Sequence, residues 1–283
     1  ACDYYDVAKA FILYRRKRAE SRALNEKKQF IKDYAKAKNA ATGSKYDANA
    51  NVTEKNIVTL NGELFKGDVI KVNRAILTDK IRELYGEELA KEYIRMLEQH
   101  LLYKHDETSI MPYCVAITMY PFLLEGLQPI GGLSARPKNL DSFCGMFVNL
   151  VFAISSQFAG AVATGEFLMY FDYFARKEWG DDYWKRPEEM VDKHRNIDKT
   201  IEQKFQQIVY SINQPAAARN FQSVFWNISY FDKNYFEGLF GEFVFPDGTK
   251  PIWDSLNWLQ KKFMTWFNEE RTNVPCEFRS LIE

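Results

Sequence analysis

The sequence predicts an α/β fold, rich in helix, built on a parallel sheet or barrel. Three observations lead there. Long stretches carry apolar residues at helical spacing. Two short apolar runs near residues 114 and 226, with β-branched and aromatic residues, read as strands. Long helical crossovers separate those runs, and such connections join parallel strands rather than hairpins.

Residues 1–35 read as a helix, with Val7, Ala10, Phe11, Leu13 and Tyr14 at helical spacing. The basic run RRKR at 15–18 reads as a solvated helix face. Residues 36–52, KAKNAATGSKYDANANV, are small and polar and read as a loop or linker. Residues 69–104 read as mostly helical. Asp79 is the expected cap for a face marked by Ile81, Leu84, Leu89, Tyr93, Leu97 and Leu101. The run IMPYCVAITMY at 110–120 reads as a buried strand. QPIGGLSARPKN, from Gln128 to Asn139, has paired glycines and two prolines and must be a loop.

Asp141 is the expected cap of a long helix that follows. From Phe143 to Ala163 there are 21 residues without a charge, enough to span a bilayer. Asn149, Ser155, Ser156 and Gln157 interrupt the run, and its C-terminal end has no basic or Trp flank. It therefore reads as a core helix rather than a membrane span. A second helical region covers about 187–212, where Val191, Ile197, Ile201, Phe205, Ile208 and Ile212 advance by three or four for most of it. It ends at NQP, because proline disfavours continuation. VFWNISYF reads as a strand, PDGT at 246–249 as a turn, and DSLNWLQKKFMTWFNEE as an amphipathic helix. No internal repeat is apparent.

Composition narrows the function. The 283 residues suffice for a sizeable core. Lys+Arg and Asp+Glu both number 38, so nothing in the charge balance favours nucleic-acid binding. Aromatics make up 16% of residues, which implies a dense core or a large interface. The four cysteines, Cys2, Cys114, Cys144 and Cys276, stand far apart without a CxxC pair. A disulfide framework or a zinc site within the chain is not expected, and the context reads as intracellular, reducing and cytoplasmic. The start, ACDYYDVAKAF, has no initiating Met and no signal-peptide pattern, and reads as lying inside a longer protein.

Several residues carry chemistry on their own account, each with a plainer alternative. Cys114 opens the apolar run CVAI: it is either a thiol facing a pocket at the mouth of a strand or a small buried hydrophobe. His105 beside Asp106 can orient a reacting group, since a carboxylate fixes the imidazole tautomer, or it can be a solvated turn. Arg219, with Asn220 and Gln222, precedes the second strand, and its planar fork suits phosphate or base edges; otherwise it is a solvated loop residue. Asn227 lies within that strand, where a buried amide needs partners from the core or from a substrate. Gly131-Gly132 is a weak phosphate-cradle signal.

Five stretches, in order along the chain, resemble the anaerobic (class III) ribonucleoside-triphosphate reductases of the glycyl-radical family. They are YYDVAKAFILYRRKRAE (4–20), DANANVTEKNIVTLNGELFK (47–66), KHDETSIMPYCVAI (104–117), RPKNLDSFCGMFVNLVFAISSQFAGAVA (136–163) and SINQPAAARNFQSVFWNISYFD (211–232). The last departs from the family's Arg-x-Gly-Gly-Gln-x-Pro-Phe pattern by reading ARNFQSVF, and the terminal RSLIE does not resemble its continuation.

The resemblance implies the helix-rich N-terminal portion of a ten-stranded α/β barrel. Residues 1–35 would be the exit of an ATP-cone-like regulatory region, and 36–283 the first part of the barrel domain. The implied reaction reduces ribonucleoside triphosphates to their 2′-deoxy forms under allosteric control by dNTP and ATP. A glycyl radical, a finger-loop cysteine and a zinc site would all lie outside this chain, which would then be inactive alone. Formate is the implied reductant, and a homodimer and a radical-SAM activating enzyme are the implied partners. Cys114 matches the first-strand cysteine that takes part in reducing the radical intermediate. His105, Asp106, Arg219, Asn220, Gln222 and Asn227 fall on the substrate side, and Gln157 on a helix near the effector and dimer interface. The competing reading is a non-catalytic fragment that binds dNTP and dimerises.

Overall fold

The computed structural model describes residues 4–36, 57–104, 107, 112–127, 134–158, 160–214 and 224–273. The chain divides into two compact units, Ala1–Ile110 and Met111–Glu283.

The first unit is helical. Its elements are α1 (Tyr5–Lys36), α2 (Ile57–Tyr85) and α3 (Glu87–Glu98). The break between α2 and α3 falls at Gly86, whose φ of 93° is open to glycine and strained for other residues. Asp79, the expected cap, instead lies inside α2 and pairs with Arg82 one turn on. The helix starts earlier than its charge pattern suggested, and the interruption comes from backbone freedom at Gly86 rather than from a side-chain cap. Ala90 and Leu97 of α3 are buried within the unit.

The second unit runs β1 (Val115–Ala116), α4 (Tyr120–Glu125), α5 (Leu140–Ser155), β2 (Val162–Ala163), α6 (Phe167–Trp179), α7 (Ile197–Ile212), β3 (Trp226–Asn227), α8 (Lys233–Phe240) and α9 (Trp253–Asn273). The strands form a parallel sheet in the order β1-β2-β3. Parallel pairing across long crossovers is as the sequence predicts. The middle strand β2 was not foreseen: it falls at the end of the uncharged run, which is a helix only as far as Ser155. Periodicity cannot separate a buried helix from a buried strand that follows it. Among the described residues no helix is long and apolar enough to cross a membrane.

Local chemistry sets the helix ends. Asn139, not Asp141, caps α5: the Ser142 N–H donates to Asn139 Oδ1 at 2.8 Å, and the Asn139 N–H donates to Ser142 Oγ at 3.1 Å, a reciprocal capping box. Asp141 sits in the first turn and pairs with Lys204 of α7. Asn196 caps α7 through the Lys199 N–H, so the helix starts at 197 and Val191 lies in the loop before it. PDGT forms the expected turn, with the Phe245 N–H donating to the Thr249 carbonyl at 2.8 Å.

The core explains the aromatic content. Phe143 and Phe147 of α5, Phe167 and Phe171 of α6, Phe205 of α7, Phe263 of α9 and Trp226 of β3 are all buried. Phe147 and Phe167 approach within 4.4 Å, centroid to centroid, and both pack on Trp226. Each such ring removes on the order of 150–250 Å² from water, so this cluster dominates the packing of helices onto one face of the sheet. Among the described residues of the other face, Ala116 is exposed and Ala163 and Asn227 are half-buried.

Candidate functional site

The open face follows from strand alternation. Successive side chains point to opposite faces, and in-register partners of a parallel ladder share a face. Val115, Val162 and Trp226 are in register, and Val162 and Trp226 are buried beneath the helices. Ala116, Ala163 and Asn227 are in register on the opposite face, where Ala116 is exposed and Ala163 and Asn227 are half-buried. Cys114 precedes Val115 and shares this second face; it is exposed. The buried-strand expectation for 110–120 is thus corrected: β1 is two residues long, half-buried at Val115 and exposed at Ala116.

The ladder fixes the register of this face. The Val115 N–H donates to the Ala161 carbonyl and the Ile117 N–H to the Ala163 carbonyl, both at 3.0 Å. Across the next gap the Val162 N–H reaches the Phe225 carbonyl at 2.8 Å and the Thr164 N–H the Asn227 carbonyl at 2.9 Å. Cys114 and Asn227 therefore stand two strand spacings apart, roughly 10 Å sideways. Alanines line the space between them. The arrangement can admit a flat, polar ligand between a thiol and an amide.

Beyond the strands' carboxyl ends the chemistry becomes polar. The Thr118 hydroxyl donates to the Glu166 carboxylate at 3.1 Å, and the Met119 N–H donates to Glu166 Oε2 at 2.9 Å. Ligands of α/β sheets bind outside these ends. Neither Thr118 nor Glu166 stood out in the sequence. The available signal was a polar residue placed within three positions of each apolar run. Beneath the face, the Trp226 Nε1–H donates to Thr164 Oγ1 at 2.7 Å, and both side chains are buried.

Of the residues singled out from sequence, Cys114 and Asn227 come together on one face. Gln157 does not join them. It lies past the end of α5 rather than within a helix, is exposed, and its Nε2 donates back to the Ala153 carbonyl at 3.5 Å. His105, Asp106, Arg219, Asn220 and Gln222 lie outside the described residues, as do Gly131 and Gly132. In the first unit, Glu107 is held in a two-pronged bond by Arg74, whose Nε reaches Oε1 at 2.9 Å and whose second guanidinium nitrogen reaches Oε2 at 2.6 Å. That bond holds the Glu107 carboxyl below its usual range. Cys144 is buried in α5, and burial pushes its thiol up to about 12. Among the described residues no group of three His, Cys, Asp or Glu side chains is arranged to hold a metal.

Residues 63–274 match the family model of the anaerobic ribonucleoside-triphosphate reductase. Solved structures agree. The anaerobic ribonucleotide reductase from Thermotoga maritima in complex with dATP and CTP is 32% identical, with a TM-score of 0.66 over 77% of this chain and 36% of that one. The same reductase with dATP bound in the specificity site is 31% identical, with a TM-score of 0.65 over 76% and 36%. A further anaerobic ribonucleotide reductase is 30% identical, with a TM-score of 0.70 over 88% and 38%. The chain thus spans well under half the length of these structures. No curated protein matches it by sequence.

Proposed function

The chain belongs to the anaerobic ribonucleoside-triphosphate reductase family, its helices and small parallel sheet matching part of the reductase barrel, and on that premise we propose that it contributes the thiol-bearing face of a ribonucleotide-reducing site. One observation carries the reading. Cys114 stands exposed at the start of β1, on the open face of a sheet whose other face is sealed by aromatic side chains. A first-strand thiol on a face that a ribose can reach is what the reaction needs, because the hydrogen donor must stand in contact with the sugar radical.

In this reading a ribonucleoside triphosphate lies across the sheet, with its ribose over Cys114 and Ala116. The Asn227 amide supplies one donor pair and one acceptor to the sugar. Cys114 offers its S–H to the radical intermediate. The glycyl radical and the finger-loop cysteine belong to residues outside this chain; together with formate they supply the one-electron chemistry. The zinc site falls outside as well. His105, Asp106, Arg219, Asn220 and Gln222 complete the substrate side. Effector dNTP binds near Gln157 across a homodimer, a radical-SAM enzyme activates the assembled protein, and the setting is cytoplasmic. Residues 1–35 lead out of an ATP-binding regulatory region. The dATP and CTP in the T. maritima complex support the choice of ligand class.

The test is thermal unfolding of the 283-residue chain under reducing conditions with millimolar CTP, dATP or neither. A ligand that binds only the folded state adds about 2.7 kcal/mol at one hundred times its dissociation constant. The expected result is a rise in midpoint with nucleotide, reduced by Asn227→Ala for CTP but not for dATP. A cooperatively folding chain whose midpoint ignores every nucleotide would sink the proposal.

A further inference from the structure

The thiol of Cys114 is gripped by one peptide of the neighbouring strand. The Ala161 N–H donates to Cys114 Sγ at 3.3 Å. One residue earlier, the Gly160 N–H donates to the Tyr113 carbonyl. The approach is so close that a Cβ built on Gly160 would stand 2.6 Å from Cys114 Sγ and 2.7 Å from the Tyr113 oxygen. A side chain cannot occupy such a position without moving the thiol, the carbonyl or both. Glycine at this point of a strand marks a place where another backbone comes near.

We infer that Gly160 and Ala161 are the positioning residues of Cys114. Their shared peptide selects the cysteine rotamer and occupies a lone pair of its sulfur. Sulfur is a weak acceptor, yet a single N–H on its ladder side is enough to break the symmetry between its staggered positions. The S–H bond cannot lie along the line already taken by the Ala161 N–H. That leaves the S–H free to turn toward the face that Ala116, Ala163 and Asn227 share. The inference rests on the functional reading only in taking that face as the substrate side.

The test uses the 283-residue chain in a Cys2→Ser, Cys276→Ser background, reduced and without nucleotide. Amide exchange at Ala161 is followed by NMR, and the Cys114 S–H stretching band is taken from infrared difference spectra against Cys114→Ala. Cys114→Ala is expected to speed exchange at Ala161 about fivefold, the size of one modest hydrogen bond. The amide of Ile117, bonded to Ala163, stays unchanged. Cys114→Ser restores protection, because a hydroxyl also accepts. Gly160→Ala shifts the S–H band and alters the rate of Cys114 alkylation several-fold. Unchanged Ala161 exchange in Cys114→Ala, or no rescue by Cys114→Ser, overturns the inference, and this pair decides the matter even if Gly160→Ala fails to fold. Because no nucleotide is used, failure here leaves the binding test standing, and failure of the binding test leaves this result standing.

Discussion

Asp172 and Arg176 form a salt bridge at 2.9 Å, one turn apart on α6, with side chains only 2% and 5% exposed. The pair is not alone. The hydroxyls of Tyr183 and Ser255 both donate to Asp172 Oδ1, and Arg176 also reaches Asp181 and the Lys250 carbonyl. The network joins α6, the turn at Tyr183 and the start of α9. Breaking a buried pair leaves an uncompensated charge, which costs about 3–5 kcal/mol. Arg176→Met should lower the unfolding free energy, measured by urea denaturation, by that amount. The double change Asp172→Leu with Arg176→Met should recover much of it. A double variant no better than the single one would refute the account.

Gly86 separates α2 from α3 with φ 93° and ψ 171°. Such a conformation costs a residue with a Cβ about 1–3 kcal/mol. Gly86→Ala should destabilise the first unit by that amount, read as faster amide exchange in α3. Equal protection in both proteins would show that the break can be re-formed without glycine.

The bond from Arg74 lowers the acidity range of Glu107, so the pair stabilises the fold only while the carboxyl is ionised. The contribution is complete above the ordinary glutamate value of 4.5 and is lost as pH falls through the lower folded value. Arg74 is partly exposed, which limits the effect to about 1 kcal/mol. Wild type and Glu107→Gln should therefore differ in stability at pH 7 and converge at the acid end of a titration. A constant difference across that range would exclude the ion pair as its source.

The two described thiols should part company toward alkylating reagents. The thiolate is the reactive form. Burial holds Cys144 protonated at neutral pH, with its thiol pushed up to about 12, whereas Cys114 is exposed. Iodoacetamide on the native chain, followed by peptide mass spectrometry, should label Cys114 and spare Cys144 until the chain is unfolded. Early labelling of Cys144 would mean that α5 opens readily.

Trp226 links the sheet to its helices. Trp226→Phe removes the donor to buried Thr164 and should cost about 1–3 kcal/mol, measured by denaturant unfolding. If Trp226→Phe is neutral, the hydrogen bond contributes nothing beyond the ring.

What could be read from the residues depended on how strongly each segment separates its two sides. The helix α9 was legible because Leu256, Leu259, Phe263, Trp266 and Phe267 repeat at helical spacing and are all buried. The strands at Cys114 and Trp226 were legible as apolar, β-branched runs, though the open side of β1 was not. The strand β2 was hidden because Val162 follows a helix as apolar as itself. Neither acidic residue is a cap: Asp79 lies well inside α2, whose start the charge pattern did not mark, and Asp141 sits in the first turn of α5, where the side chain that reaches back to the N–H is that of Asn139. Cys114 and Asn227 could be named from sequence. That they share a face could not, since it depends on a register passing through the unforeseen β2.

That register has a temporal meaning. Val115 meets Val162, and Val162 meets Trp226, so each pairing must wait for a long intervening segment to be closed. Helices α5, α6 and α7 are local and can form within themselves; the sheet cannot. Since β2 sits between the other two strands, neither outer strand has a parallel partner until the middle of the chain has settled. The surface bearing Cys114 and Asn227 therefore cannot be complete until both crossovers are closed. During synthesis a nascent chain that has not yet emerged as far as Asn227 holds the thiol but not the complete face it belongs to.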